Sequence, residues 1–241
     1  MIKGTRLPAL QTFTAVCGVA ILVTLGTWQI QRLHWKQNII AGLEQSYAGA
    51  KFTDLSQNLL QDLESGKIHF AYGAARGHWQ KEKAILLGPR TNDGRAGYHL
   101  LIPMTLEDGK TLIVNTGWVS DMWKDTLGER LAVLPSGSVQ ARGVAHMPDW
   151  SSMASKNSPA NDLWFRADVK EIAAAKDLKD VYSHILYADK IEPPLNDVAA
   201  HEEKWLPRNK HLQYALFWYA MAATLAGVFG FYIRDLNKKS V

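Results

Sequence analysis

Histidine is the residue type with the widest chemical scope in this chain, and its eight copies are scattered along the sequence. They are His34, His69, His78, His99, His146, His184, His201 and His211. No two of them have the spacing of a metal-ligand pair, and the chain contains no G-x-S-x-G, P-loop or G-x-G-x-x-G motif. For the histidines between residues 69 and 201 we therefore expect surface or hydrogen-bonded structural roles.

Cysteine usage and charge exclude several further kinds of site. The single cysteine, Cys17, lies within an apolar stretch, so the rest of the chain has no disulfide and no thiolate nucleophile. Sites that need cysteine ligands for copper, zinc or an iron–sulfur cluster are excluded for the same reason. The net charge of +4 is spread along the chain without a Lys/Arg-rich run, so we expect no nucleic-acid partner.

Two long apolar stretches lie near the ends of the chain. The first runs from Leu7 to Gln31, the second from Leu212 to Ile233, and neither contains a charged side chain. The first would form a helix of roughly 37 Å, enough to cross a hydrocarbon core of about 30 Å. Because two isolated segments cannot close a barrel, helices are the structure that satisfies their backbones in lipid. We predict transmembrane helices over residues 7–31 and 211–233.

Each stretch has an alternative interpretation. The first could be a cleaved signal peptide, although it is longer than the usual apolar region and no small-residue cleavage site follows Thr27. The second could be a buried helix of a soluble core, although its length and the basic tail after it favour a membrane span.

The charges that flank the two stretches predict the topology. Basic residues precede the first stretch and follow the second, namely Lys3, Arg6, Arg234, Lys238 and Lys239. The positive-inside rule then puts the tails, residues 1–6 and 234–241, in the cytoplasm and residues 32–210 on the outer side. The domain-facing flanks are also basic, which weakens this asymmetry. A short basic N-terminus without a long Arg/Ser-rich presequence favours a bacterial inner membrane. The domain would then be periplasmic, and membrane lipid is a predicted partner.

Residues 32–210 are long enough for one domain with a core of its own. The first helix is predicted to continue through Leu43, and Asp54 is predicted to cap a short amphipathic helix that ends at Gly66. Asp168 is predicted to cap a helix over residues 169–176. The Ser-, Asn- and Pro-rich segment 148–161 is predicted to be a loop.

The remaining pattern of this domain is typical of short strands. Strands are predicted at residues 69–79, 84–87, 98–105, 111–119, 138–146 and 183–189. Asp108-Gly109 between two apolar runs is a strong hairpin signal. The predicted fold is thus a membrane α plus β-rich α+β protein: two transmembrane helices, N- and C-terminal, that flank a small antiparallel sheet or barrel with a few helices.

His34 and His211 differ from the other histidines because they lie at the outer ends of the two predicted spans. If the spans pack antiparallel, these imidazoles lie at similar depth. Imidazole is a common axial ligand of haem iron, and Arg32, Arg208 and Lys210 could meet carboxylates such as haem propionates. The alternative is that both histidines simply lie in the lipid headgroup layer.

Three blocks of the sequence carry a family resemblance. They are Leu25–Arg32 (LGTWQIQR), Gly88–Val119, which ends in VNTGWV, and His211–Trp218 (HLQYALFW). In the same order they resemble the motifs G-x-W-Q-x-x-R, V-N-R-G-W-V and H-x-Q-Y-A-x-x-W of the surfeit-locus protein one family, which are assembly factors for cytochrome c oxidase. Thr116 stands where the family usually has Arg, which puts any role of that cation here in doubt.

The resemblance implies a non-catalytic helper that binds haem a and aids its insertion into the large subunit of cytochrome c oxidase. Such a chaperone would take haem a from its membrane synthase, and the histidine that opens the second span, His211, is the implied iron ligand. Trp28, Gln29 and Arg32 reach the same membrane face, and Tyr214 lies one turn from His211, so we predict that these four residues also bind the cofactor. His34 is a candidate from its placement alone.

In the central hairpin we predict Gly117 and Trp118 to be partner-binding. Gly117 is expected at a tight or positive-φ position, and Trp118 is expected to be a large buried anchor of the sheet. The competing hypothesis is a scaffold that holds oxidase subunits together and never contacts haem. A third class, an enzyme on the outer face, lacks any supporting motif.

Overall fold

A computed structural model describes residues 9–49, 54–55, 57–148, 150 and 154–239 of the chain. The chain forms two compact units. One consists of the residues up to Ala41 together with those from Pro207 onward, and the other consists of Gly42–Leu206.

The first unit is built from the long helices α1 (Ala9–Gly49) and α5 (His211–Lys239). Both are long and apolar enough to cross a membrane. The large apolar side chains of these helices are largely exposed, for example Phe13 at 67% and Phe231 at 72%. Because a core helix of a soluble protein would be buried, this exposed apolar surface is consistent with a two-pass membrane protein. The predicted continuation of α1 through Leu43 is confirmed.

The second unit, Gly42–Leu206, contains a six-stranded sheet and three short helices within its described residues. The strands are β1 (Phe70–Trp79), β2 (Ile85–Asn92), β3 (Arg95–Leu106), β4 (Thr111–Ser120), β5 (Val139–His146) and β6 (Val181–Glu192). The helices are α2 (Gln57–Glu64), α3 (Trp123–Ala132) and α4 (Val169–Ala175). Two 3₁₀ turns occupy Lys81–Lys83 and Pro159–Asn161.

The strand order of the sheet is β1-β5-β6-β4-β3-β2, and β1 makes an additional pairing with β3. Five of its pairings are antiparallel, but β4 and β6 run parallel. The prediction of a purely antiparallel sheet is therefore wrong, and the sheet is mixed. Parallel neighbours need a long crossover, and here the chain between them contains α3, β5 and α4.

Two local signals from the sequence are confirmed. Gly109 has φ of +80° in the turn between β3 and β4, where Leu106 N donates to Lys110 O at 2.8 Å. Asp168 caps α4, because its carboxylate accepts hydrogen bonds from the backbone N–H groups of Lys170 and Glu171. Both signals are local. The Asp168 carboxylate bonds to nearby backbone N–H groups, and Gly109 can adopt a positive φ because it has no Cβ.

Other boundaries differ from the prediction. The helix α2 begins at Gln57, three residues after Asp54, and Asp54 forms an isolated bridge with Ala74 of β1. The strand β2 does not end at Gly88-Pro89 but continues to Asn92, with an irregular register between Leu87 and Arg90. The helix α3 was not predicted, and β6 extends beyond residues 183–189 at both ends.

The core of this unit lies on both faces of the sheet. Leu112 and Val114 of β4 point into one cluster, which also contains Trp123 of α3, and Ile113 between them points into the other. The second cluster includes Ile172 of α4. Successive side chains of a strand point to opposite faces, so a strand covered on both faces reads as a continuous apolar run.

Candidate functional site

Within the first unit, α1 and α5 pack closely where small residues meet a ring. A Cβ on Gly26 would lie 2.7 Å from the ring of Tyr219, so this ring lies directly against the backbone of α1. The Tyr219 hydroxyl is 3.1 Å from Thr27 Oγ1. Ala215 and Ala222 of α5 are 0% and 5% exposed. Small residues that allow close backbone approach are typical of helix pairs in membranes.

His211 meets Gln29 at the beginning of α5. His211 Nδ1 is 2.7 Å from Gln29 Oε1. The amide of Asn209 links the same two helices, because its Oδ1 accepts from His211 N at 3.3 Å and its Nδ2 donates to Leu33 O at 3.4 Å. Contacts closer to the beginning of α5 thus involve residues farther along α1, so the two helices are antiparallel.

The surroundings of His211 are positively charged. The charges of Arg32 and Lys36 both act on its ring, and the Arg32 guanidinium lies over Trp35, 4.3 Å from the ring centroid. The sequence of this unit contains a single acidic residue, Asp235, near the far end of α5. The imidazole is therefore flanked by cations that have no nearby carboxylate within the unit.

The structure brings together three of the five residues predicted to bind a cofactor: Gln29, Arg32 and His211. Trp28 and Tyr214 are 49% and 52% exposed, and neither hydrogen-bonds to His211 among the described residues. The cofactor role of all five residues stays a prediction.

In the second unit, Gly117 is held against another segment of the backbone. It has φ of +131°, and a Cβ there would lie 2.2 Å from Ala199 O, so both conformation and space require glycine. The expectation of a tight, positive-φ position is confirmed. Gly117 follows a register shift of β4 against β3, which lies between Leu100 and Leu101 on the β3 side.

Trp118 anchors the same place through its backbone and its ring, although it is half-buried and not buried as expected. Its N–H donates to Ala199 O at 2.7 Å, and Ala199 N donates back to Trp118 O at 2.8 Å. The indole Nε1 donates to Arg90 O at 3.2 Å, and the ring lies against Gly97. Trp118 thus joins β4 to β2 and to the segment after β6. The role of Trp118 in partner binding stays a prediction.

Beside Gly117, four strands and the segment after β6 bring polar side chains and rings together. Asn115 uses both ends of its amide, with Nδ2 3.2 Å from His99 Nδ1 and Oδ1 3.0 Å from His201 Nε2. The His99 and His201 rings meet edge to face at 5.1 Å, and His146 stacks on Tyr187 at 4.5 Å. We call these five residues the histidine cluster. The expectation of hydrogen-bonded structural roles is confirmed for His99, His146 and His201.

Burial keeps the histidine cluster neutral. Burial, together with smaller contributions from the charges of His201 and Arg90, lowers the pKa of His99 to about 4. Burial likewise lowers the pKa of His201 to about 4, with a smaller contribution from His146. Within the described residues no group of three or more His, Cys, Asp or Glu side chains is placed to hold a metal ion.

Comparison with known proteins identifies the family. The model of the SURF1 family matches residues 16–223, which is most of the chain. The chain belongs to the SURF1 family. A SURF1-like protein of Rickettsia bellii is 26% identical over 98% of this chain and 94% of its own length. Surfeit locus protein 1 of Mus musculus is 27% identical over 83% and 68%, and the cytochrome oxidase assembly protein SHY1 of Saccharomyces cerevisiae is 25% identical over 74% and 47%.

The SURF1 match includes both groups of predicted site residues, from Trp28 on α1 to Tyr214 on α5. It also includes Thr116, where the family motif usually has Arg. The Thr116 side chain is fully buried and its hydroxyl donates to Leu100 O at 3.0 Å. In this SURF1 chain the position therefore fills the interior of the sheet with a neutral, satisfied hydroxyl.

Sequence reasoning missed three side-chain arrangements in this SURF1 chain. The histidine cluster joins residues more than 80 positions apart, Asn115 and His201, and no local pattern indicates such a contact. Asn209 could have been recognised, because Asn commonly bonds to the backbone N–H two residues on in an Asx turn, as its Oδ1 does with His211 N. The pairing of Gln29 with His211 follows only from the antiparallel register of the two helices.

Proposed function

We propose that this SURF1-family protein is a membrane-anchored assembly factor of cytochrome oxidase that binds haem a through His211 and delivers it to the large subunit. The coarser part of this proposal, a role in cytochrome oxidase assembly, is supported by family membership and by the name of the yeast relative SHY1. The observation that supports the finer part is the chemistry of the groups around His211.

The donor set around His211 fits a haem. Its Nδ1 is engaged by Gln29, which leaves Nε2 as the nitrogen that can ligate iron. Haem a, when bound, supplies an iron that an imidazole can ligate and carboxylates that cations can pair with. Arg32 and Lys36 flank the ring and are free of acidic neighbours in the sequence of this unit, so they are suited to those carboxylates.

The half-exposed aromatic residues support the same proposal. Trp28 and Tyr214 present flat, partly apolar side chains to the outside of the helix pair. An aromatic side chain with one polar end suits the boundary between lipid and water, where a flat ligand with an apolar ring and polar substituents would also lie. We infer that they border the haem edge.

The proposal assigns the sheet domain to protein partners rather than to chemistry. Its polar interior is packed and hydrogen-bonded, as the histidine cluster and Thr116 show. Gly117 and Trp118 fix the hairpin that would present a surface to the oxidase large subunit and to the haem a synthase. With both tails in the cytoplasm of a bacterium, this domain lies in the periplasm, and the protein forms and breaks no covalent bond itself.

Haem content of the purified full chain tests the proposal. The protein is produced with an active haem a pathway, purified in detergent and analysed by its Soret absorbance per mole of protein. We expect the wild type and a His78→Ala control, which changes an exposed domain histidine, to carry haem a. We expect His211→Ala to lose most of it.

The same preparation distinguishes the competing scaffold. A colourless wild-type protein that still co-purifies with oxidase subunits would support the scaffold and exclude the carrier. Equal haem a content in wild type and His211→Ala would remove His211 as the ligand.

A further inference from the structure

The contact between Gln29 and His211 favours one imidazole nitrogen as the site of the proton. An amide oxygen can only accept a hydrogen bond, so the 2.7 Å contact between Gln29 Oε1 and His211 Nδ1 is a hydrogen bond when Nδ1 carries the proton. In the neutral ring the other nitrogen, Nε2, then carries the free lone pair.

Both partners of this hydrogen bond are held in place by neighbouring contacts. Gln29 lies one turn after Gly26, whose backbone packs against the Tyr219 ring. His211 is fixed at its backbone by Asn209, which in turn bonds the Leu33 carbonyl of α1. Because the helices are joined on both sides of the pair, the amide and the imidazole meet in one register.

We propose that Gln29 is a positioning residue, which holds the His211 ring in the Nδ1–H tautomer and so presents Nε2 as the donor to haem iron. This inference rests on the proposed function. Metal-ligating histidines commonly donate their second N–H to a neighbouring oxygen, which fixes ring orientation and raises ligand basicity. Gln29 is thus assigned to the histidine rather than to direct contact with the cofactor.

The partner of His211 Nδ1 is an amide and not a carboxylate, and this affects how tightly a haem carrier would hold the iron. A carboxylate on Nδ1–H gives the imidazole more imidazolate character and strengthens its bond to iron, whereas a neutral amide orients the ring with a smaller effect. A protein that must release its haem benefits from the weaker partner. Gln29→Glu is therefore expected to bind haem a more tightly than wild type and to lower its reduction potential.

The tautomer can be measured without haem. Two-bond ¹H–¹⁵N correlation spectra of the full chain in detergent, labelled at histidine, report which nitrogen of His211 is protonated, and His211→Ala assigns the signal. We expect the Nδ1–H form in wild type and in Gln29→Glu, and a mixture of tautomers in Gln29→Leu. The matched control is Gln31→Leu, the same change at an exposed residue of the same helix. An Nε2–H form in wild type, or no change in Gln29→Leu, would overturn the inference.

Titration of the same proteins with haem a separates this inference from the proposed function. We expect Gln29→Leu to bind about tenfold to a hundredfold more weakly than wild type, and Gln31→Leu to match wild type. If His211→Ala abolishes binding while Gln29→Leu binds like wild type, the positioning role is wrong and the haem function stands. If His211→Ala binds like wild type, the haem function fails and the positioning role fails with it.

Discussion

The two units of this protein use histidine in opposite ways. In the sheet domain, His99, His201 and His146 pack against other rings, and the hydrogen bonds of the first two converge on Asn115. In the helix pair, no described ring packs on His211, which has an amide on one nitrogen and cations around it. Histidine rings are thus part of the packed interior in the sheet domain, whereas in the helix pair the His211 ring has no other described ring packed against it.

The apolar side chains show the same contrast. In the domain the large apolar residues are buried on both faces of the sheet, for example Ile113 and Trp123 at 0% and 2% exposure. In the helix pair Leu216 and Phe217 are 62% and 57% exposed, and the close contacts involve glycine and alanine. The domain is stabilised by removing apolar area from water, whereas the helix pair depends on close packing and a few polar contacts.

The largest expected effect is on the free energy of unfolding of the sheet domain, and the helix pair should be unaffected. Gly117→Val puts a β-branched residue at φ of +131° and pushes its Cβ into Ala199 O. We expect the free energy of unfolding of the domain to fall by about 4 kcal/mol, because strain and the loss of the Trp118–Ala199 bonds add. Urea unfolding of the detergent-solubilised chain, followed by tryptophan fluorescence, measures this.

Gly128→Ala is the matched control, since nothing lies within 4 Å of a Cβ at this exposed position of α3. It should change stability by less than about 1 kcal/mol, in the stabilising direction. An equal loss in both variants would contradict the role of the Ala199 contact.

The second effect concerns pH and sharpens the contrast between the histidines. The pKa of His201 is about 4 in the folded protein against an ordinary value of 6.5, so the unfolded chain binds the proton first. Above pH 6.5 neutral His201 makes its full contribution to the free energy of unfolding. This contribution is lost as the pH falls through 4, at about 1.4 kcal/mol per pH unit. Between pH 6.5 and 5 this amounts to about 2 kcal/mol.

His201→Gln should remove this part of the pH dependence of domain unfolding, while His78→Gln, at an exposed position, should retain it. Chemical unfolding curves at a series of pH values between 7 and 5 provide the measurement. The same slope in His201→Gln and wild type would show that His201 is not held neutral.

The third effect acts on the helix pair alone. Gly26→Leu places a side chain where the Tyr219 ring lies, at 2.7 Å from the Cβ. We expect the association of α1 and α5 to weaken by about 1 to 2 kcal/mol, as overpacking commonly does. Titration with SDS in mixed micelles, followed by circular dichroism, reports the helix pair.

Gly227→Leu is the control, because space is open around that residue of α5. Adding Tyr219→Ala to Gly26→Leu should recover part of the loss. If Gly227→Leu weakens the pair as much as Gly26→Leu does, the close contact is not what holds it.

The smallest effect comes from a single hydrogen bond. Thr27→Val removes the 3.1 Å contact with the Tyr219 hydroxyl together with the bond from Thr27 Oγ1 to Val23 O, and the loss of the contact between the helices should cost about 0.6 kcal/mol. Thr24→Val is the control, since the Thr24 hydroxyl bonds within its own helix, to Ala20 O. A double-mutant cycle with Tyr219→Phe isolates the pair, and a coupling energy of zero would show that the contact contributes nothing.

Local patterns predicted much of the fold. The Asp168 cap and the Asp108-Gly109 turn involve residues close in sequence, so the sequence contains the whole signal. The two apolar stretches were recognised for the same reason. Strand β2 was predicted too short because Gly88-Pro89 is a usual stop signal, yet Arg90 to Asn92 still pair with β3.

Long-range features were not predictable in this way. The parallel pairing of β4 with β6 depends on how the crossover packs, and nothing in the residues of either strand distinguishes it from an antiparallel pair. The same holds for the site. His211 was selected from its place at the outer end of a predicted span and from a resemblance, but its bond to Gln29 needs the register of two helices that are far apart in sequence.

The topology of the sheet also constrains when the domain can form during synthesis. Strand β1 can pair with β3 early but completes its pairing only when β5 is made, and the central strand β4 must wait for β6, whose last residue is Glu192. Because β6 is the last strand made and lies between β4 and β5, the earlier strands cannot complete the sheet without it. The sheet therefore stays unfinished until shortly before α5 is made. Such high contact order predicts slow folding and exposes edge strands, so the nascent domain is a natural client for a holding chaperone.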